Sequence, residues 1–226
     1  MKVGFIGLGN VGGKLAGSLL RNNFDLTVRD LDKNLTQSFK NLGAKVASSA
    51  KELAEQVDLI ITCLPSTKIC AEVMEAEDGI ISGLSENKIW LEMSTTDEAE
   101  IKRISKKIIE KKAIPLDGPV SGGCHRAATG NIAIFVGGER KAFDKILPVL
   151  SVSSSGNPFA LKSILLRSSI LFTIIEDQAL EPYFFWPSLK ISTICGEISK
   201  GAPNFFARSS NKPVSFKTKS IVKFRL

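Results

Sequence analysis

Apolar residues follow two rhythms along the chain. Val3, Phe5 and Ile6, then Leu26, Thr27 and Val28, then DLIITCL from Asp58 to Leu64, then Ile89 to Met93, form short apolar runs. Runs apolar on successive positions predict strands buried on both faces of a parallel sheet. Between them the spacing is helical. A helix is predicted from about Asn10 to Leu20, and another from Lys33 to Leu42, stopped by Gly43 where a left-handed residue is needed. Ser49 caps the helix of AKELAEQ, with Glu52 completing a capping box. Thr96 or Thr95 caps a further helix running to about Lys111, whose Ile101, Ile104 and Ile108 recur at helical spacing among lysines and an arginine. Strand and helix alternating through residue 116 predict an α/β fold, a Rossmann-type doubly wound parallel sheet.

Glycine then gives the first strand a chemistry. Gly7, Gly9 and Gly12 form a G-x-G-x-x-G turn between strand and helix, with Asn10 and Val11 inside it. Gly7 permits a tight turn, Gly9 lets the backbone approach a pyrophosphate, and Gly12 lets helix and strand pack closely. The diphosphate then meets the unsatisfied N–H groups of the helix N-terminus. Asp30 follows Gly12 by 18 positions, at the end of the second strand, where an acid meets the adenosine ribose hydroxyls. A carboxylate there repels the 2′-phosphate of NADP, so NAD is the expected cofactor, with Arg29 beside it leaving NADP open. Leu64, Pro65 and Ser66 close the DLIITCL strand and line either the nicotinamide side of the crevice or a plain strand-to-helix turn. After Asp117 the style changes to the glycine-rich DGPVSGGCHRAATGNIAIFVGGE. Ser121 with the amides of Gly122 and Gly123 is suited to clamping a small carboxylate, the alternative being a structural loop. Ile132 to Val136 reads as a strand and Arg140 to Leu147 as a helix.

Composition narrows the class. At 226 residues the chain holds one full domain and part of a second, divided here as 1–155 and 156–226. No apolar run has the length of a membrane span, and the start lacks the pattern of an export signal, so the cytoplasm, or an organelle matrix, is expected. Cys63, Cys70, Cys124 and Cys195 show no C-x-x-C pattern and only His125 could join them, so no metal site is expected. The net charge of +7 sits mainly in residues 151–226, with 10 of the 30 Lys+Arg and 4 of the 23 Asp+Glu. No acid follows Glu197. With no recognised nucleic-acid motif, a solvated basic end is favoured over nucleic-acid binding. Tyr183 to Trp186 is read as partial core or subunit interface, and a homo-oligomer, a dimer, is expected.

GFIGLGNVG, CLPS, EMSTT and DGPVSGGCHRAATGNIAIFVGG, in that order, resemble the motifs of the β-hydroxyacid dehydrogenase family, almost continuously over residues 1–150. The resemblance implies a Rossmann domain followed by a helical domain and NAD(P)-linked oxidation of a short 3-hydroxy acid such as 3-hydroxyisobutyrate. By position it implies that Gly7, Gly9, Asn10, Val11, Gly12 and Asp30 hold the cofactor and that Leu64 and Pro65 flank it. Thr95 then stands near the nicotinamide, and Ser121, Gly122 and Gly123 take the substrate carboxylate. NADP-using members tend to carry Asn-Arg-Thr or Asn-Arg-Ser where Arg29-Asp30-Leu31 stands, which again favours NAD. The family's catalytic lysine, in a G-x-G-x-x-x-K pattern with an Asn four residues after the lysine, corresponds to Lys162 in GNPFALK. There Leu166 replaces the Asn, and the segment joining Leu150 to Gly156 is short. Leu161 to Ile175 would begin the family's long helix, which Pro182 and Pro187 would break. A second reading follows from these departures, a dinucleotide-binding protein without turnover.

Overall fold

The computed structural model describes residues 1–154 and the backbone of 161–165 and 171–175. Six strands form the parallel part of the main sheet: β1 (Val3–Ile6), β2 (Leu26–Arg29), β3 (Lys45–Val46), β4 (Leu59–Thr62), β5 (Ile89–Glu92) and β6 (Ile114–Asp117). Their order is β3-β2-β1-β4-β5-β6, with β9 (Gly137–Gly138) added antiparallel to β6 at the edge. The strand order reverses between β1 and β4, which places a ligand crevice beyond the carboxyl ends of the strands at that point. The doubly wound sheet expected from the apolar runs is therefore present.

All four residues of β1, β4 and β5 are buried, because helices cover both faces. On one face Phe5, Ile61 and Leu91 pack with Leu15 and Leu19 of α1 (Gly12–Arg21), Phe39 of α2 (Lys33–Asn41), and Phe143 and Ile146 of α8 (Arg140–Ser154). On the other, Ile6, Ile60 and Trp90 pack with Leu53 of α3 (Ala50–Gln56), Cys70 and Met74 of α4 (Thr67–Glu75), Ile80 of α5 (Ile80–Gly83), and Ile104 and Ile108 of α6 (Glu98–Glu110). Strand parity sorts these sets, since alternate side chains point to opposite faces. Completely burying each such Leu, Ile or Phe is worth about 1.5–3 kcal/mol.

Local chemistry sets the ends. Ser49 Oγ accepts from Glu52 N at 3.0 Å and the Glu52 carboxyl accepts from Ser48 N at 2.7 Å, so the expected cap forms and the acid reaches back one residue further. The α6 cap differs from expectation. Asp97, not Thr95 or Thr96, caps the helix, accepting from Ala99 N at 2.9 Å and Glu100 N at 3.3 Å. Helix α6 begins at Glu98, so Asp97 holds the N-cap position, and its carboxylate also complements the helix dipole. Helix α8 continues through Pro148 to Ser154, past the expected end at Leu147.

Beyond β6, β7 (Val120–Ser121) and β8 (Ala133–Ile134) pair antiparallel, and α7 (Gly123–Thr129) lies between them in sequence. The strand expected over Ile132 to Val136 is thus reduced to β8, with β9 following it. The helix expected to begin at Leu161 is replaced by two antiparallel strands, β10 (Leu161–Leu165) and β11 (Leu171–Ile175), with Lys162 opposite Ile174. The run is apolar without helical spacing, and β-branched Ile164, Thr173, Ile174 and Ile175 favour extended backbone. The rest of the segment expected to be helical, the aromatic run and the basic tail lie outside the described residues.

Candidate functional site

The glycine turn divides its labour among three positions. Gly7 has φ of 96°, and a Cβ on it would lie 2.3 Å from the Cys63 carbonyl oxygen, so the turn is possible only without a side chain. Gly12 is buried, and a Cβ there would lie 2.0 Å from the Gly7 carbonyl oxygen and 3.2 Å from Phe5 Cε1. This is the contact between helix α1 and strand β1. Gly9 is exposed and has nothing within 4 Å of where a Cβ would stand. Packing within the chain explains Gly7 and Gly12 but does not account for Gly9.

Val11 precedes α1 without a side-chain cap, and no acid stands in the first turn. The helix thus presents N–H groups and the positive end of its dipole with no carboxylate of its own to compete for a phosphate. Exposed Asn10 and half-buried Val11 lie at this end. Asp30 follows β2 directly and is tied to the same turn. Its Oδ2 accepts from Leu8 N at 2.6 Å and its Oδ1 from Asp32 N at 2.9 Å. The acid therefore shapes the glycine turn. Arg29 turns a guanidinium N–H to the Asp30 carbonyl oxygen, while its buried Nε lacks a partner among the described residues. Together these residues fit a dinucleotide: a backbone cradle, an open approach and an acid for the hydroxyls.

Parallel register aligns Arg29, Ile6, Thr62, Glu92 and Asp117 as the last row of the sheet. Half-buried Leu64 and exposed Pro65 leave β4 above this row, and buried Ser94 and exposed Thr95 leave β5. The cofactor candidates Leu64, Pro65 and Thr95 are thus on adjacent loops. A network that the sequence analysis did not assign lies beneath them. Glu92, fully buried, accepts from Thr62 Oγ1 at 2.7 Å, Cys70 Sγ at 3.0 Å and Ser94 N at 2.7 Å. Trp90 Nε1 donates to Thr62 Oγ1 at 2.9 Å, and Leu64 N donates to Ser94 Oγ at 2.7 Å. The signal in the sequence was a single acid inside the apolar WLEM run.

Burial, and then the neighbouring Glu92 charge, push the Cys63 thiol up to about 11 and the Cys70 thiol higher still, so neither is a thiolate nucleophile near neutral pH. The same two causes raise the Asp117 carboxyl to about 7, against a weaker lowering by the Gly118 N–H.

The loop after Asp117 carries the carboxylate candidates. Ser121 is half-buried at the end of β7, and Gly122 and Gly123 follow with φ of 129° and 74°. Two successive left-handed positions account for the paired glycines and turn the backbone into α7. Helix α7 packs against α1, with Arg21 donating to the Ala128 carbonyl oxygen at 3.4 Å. Lys162 stands apart from these groups in sequence position and element, in β10, and its side chain is outside the described residues.

The model of a family described as the NAD binding domain of 6-phosphogluconate dehydrogenase matches residues 2–163. The mitochondrial 3-hydroxyisobutyrate dehydrogenase of Mus musculus is 38% identical over 141 residues, which are 62% of this chain and 42% of the mouse protein. The 2-(hydroxymethyl)glutarate dehydrogenase of Eubacterium barkeri is 33% identical over 152 residues, 67% of this chain and 50% of that protein. The crystal structure of 3-hydroxyisobutyrate dehydrogenase from Salmonella typhimurium superposes with a TM-score of 0.64 at 29% identity, covering 69% of this chain and 54% of that one. The chain spans about half the length of the curated relatives it matches. The turn that only Gly7 and Gly12 permit, the open face of Gly9, Asp30 and the strand order agree with that match, and the chain belongs to the family of the NAD binding domain of 6-phosphogluconate dehydrogenase.

Proposed function

We propose that this chain binds NAD through residues 7–12 and Asp30 and serves an oxidoreductase acting on a short 3-hydroxy acid such as 3-hydroxyisobutyrate. The observation that carries the reading is the open space over Gly9, set between two glycines that packing requires. NAD supplies hydride acceptance at the nicotinamide ring. Leu64, Pro65 and Thr95 flank that ring, and Asp30 meets the adenosine ribose and disfavours the NADP 2′-phosphate. Ser121 Oγ and the amides of Gly122 and Gly123 take the substrate carboxylate. Lys162 holds and transfers the proton of the reacting hydroxyl. The identity to hydroxyacid dehydrogenases of mouse and Eubacterium barkeri supports the substrate class.

The same reading assigns residues 1–155 to the cofactor domain and 156–226 to a partial, divergent substrate domain, in a homodimer of the cytoplasm or an organelle matrix. Mitochondrial relatives support the matrix alternative. Among the described residues no helix is long and apolar enough to cross a membrane. One observation favours a second reading, NAD binding without turnover. Lys162 lies in strand β10, where the resemblance implied a helix that would aim it at the substrate.

The test is a titration of NAD by calorimetry with NAD reduction by 3-hydroxyisobutyrate followed at 340 nm on the same preparation. The proposal expects both, with Lys162→Ala abolishing turnover and leaving NAD affinity unchanged. NAD binding with no turnover over a panel of short hydroxy acids establishes the second reading instead.

A further inference from the structure

We infer that Glu92 is a positioning residue for the nicotinamide half of the cofactor, and that it acts through Ser94. This rests on the edge of the sheet being the NAD site. Glu92 ends β5 and is completely buried, a position at which an ionisable side chain is unfavourable unless its oxygens are satisfied. The satisfaction is specific. Oε2 takes the hydroxyl of Thr62 at 2.7 Å and the thiol of Cys70 at 3.0 Å, which ties it to β4 and α4. Oε1 takes the backbone N–H of Ser94 at 2.7 Å. Ser94 Oγ in turn accepts from the backbone N–H of Leu64 at 2.7 Å.

The chain of bonds therefore leaves the core in one direction. It begins in the sheet with Trp90 and Thr62 and passes through a buried carboxyl group. It ends on the backbone of the two loops that carry Leu64-Pro65 and Ser94-Thr95. Packing alone calls for an apolar residue at this position. A leucine would continue the Trp90 face without the unfavourable burial of an acid, but it would leave the Ser94 N–H and the Thr62 hydroxyl without an acceptor. What the acid adds is a fixed spacing between the loops after β4 and β5. In a sheet of this order those loops serve the mononucleotide half on the far side of the reversal from Asp30. The adenosine half is held by the glycine turn and Asp30, to which the Glu92 network makes no direct hydrogen bond among the described residues.

This separation gives the test. NAD and ADP-ribose, which lacks the nicotinamide, are titrated by calorimetry against the full chain and against Ser94→Ala, Glu92→Ala and Glu92→Gln. Ser94→Ala removes only the acceptor of the Leu64 N–H and leaves the carboxyl group buried with its other partners. It is expected to weaken NAD about five- to tenfold, the worth of one hydrogen bond, and ADP-ribose less than about twofold. Glu92→Ala does the same or more. Glu92→Gln keeps an amide oxygen for the Ser94 N–H and presents its NH2 to Thr62 Oγ1, so NAD binds within about threefold of the unmutated chain. Unchanged NAD affinity in Ser94→Ala overturns the inference, as does an equal loss of NAD and ADP-ribose. Should Glu92→Ala not fold, Ser94→Ala and Glu92→Gln decide. An unmutated chain that binds neither ligand refutes the NAD reading itself and the inference with it.

Discussion

On the proposed reading, a single methyl group separates Gly12, a glycine kept for the fold, from Gly9, one kept for a ligand. In Gly12→Ala the new Cβ stands 2.0 Å from the Gly7 carbonyl oxygen, a full ångström inside the 3.0 Å that real Cβ atoms respect, and the neighbour is backbone. Helix α1 and strand β1 must move apart, and a loss of about 1–3 kcal/mol or more in folding stability follows. In Gly9→Ala the methyl group meets nothing within 4 Å. Folding stability should therefore stay within about 0.5 kcal/mol of the unmutated chain. Binding should not. In the proposed site the methyl group occupies the surface over which a pyrophosphate would reach the backbone N–H groups, and losing one such charge-assisted bond, worth about 1.5–3 kcal/mol, should weaken NAD roughly ten- to a hundredfold. Urea denaturation measures the first quantity and calorimetric titration with NAD the second. Gly9→Ala with unaltered NAD affinity would refute the assignment of the open face to the diphosphate. Gly9→Ala as unstable as Gly12→Ala would refute the separation of roles on which the assignment stands.

Asp30→Ala should weaken NAD more than NADP and so narrow their affinity ratio, and it should also loosen the glycine turn, because Leu8 N loses its acceptor at 2.6 Å. An unchanged ratio in paired titrations would mean that Asp30 serves the turn alone. Asp117 makes stability depend on pH in the opposite sense to a salt-bridged acid. Its carboxyl group in the folded chain keeps a proton up to about pH 7, while the unfolded chain releases it near 4. Stability contributed at low pH is therefore lost between about pH 4 and 7. Asp117→Asn should be more stable than the unmutated chain at pH 8, on the order of 1–2 kcal/mol once solvent at the half-buried group is allowed for, and no more stable at pH 4. Urea midpoints at the two pH values check this, and a difference that does not change with pH would contradict it.

How much of this was legible depended on whether a residue's role is local. Val3–Ile6, Leu59–Thr62 and Ile89–Glu92 were legible as strands because helices on both faces make every position apolar or buried. Gly12 was legible because the atoms it must avoid, the Gly7 carbonyl oxygen and Phe5 Cε1, lie within a few residues, and Gly7 because a tight turn needs its positive φ, although the carbonyl pressed against it comes from Cys63, 56 positions on. Strand β3 was not, since Lys45 and Val46 are exposed at the sheet edge and carry no apolar pattern. The cap of α6 was misplaced because Thr95, Thr96 and Asp97 are all capping types in succession, and only geometry chooses among them. Leu161 to Ile175 carried no helical period, and the resemblance supplied a helix that its β-branched content does not favour.

Glu92 shows the harder limit. As a residue type it is a single acid inside the apolar run from Ile89 to Met93, to which the sequence alone assigns no role. Its meaning comes from Thr62, 30 positions earlier, and Cys70, 22 positions earlier, brought to it by parallel register and by the packing of α4. The same register sets Asp117 opposite Glu92, so the Glu92 charge adds to burial, the larger cause, in raising the proton affinity of Asp117. Strand parity puts both on the face shared by Trp90 and Thr62, and the loops they underlie are those that carry Leu64, Ser94 and Ser121. On the proposed reading the adenosine half of the site lies within the first 30 residues, whereas the nicotinamide and substrate half is assembled from four strands, and a substitution at its buried acid should be felt first in ligand selectivity.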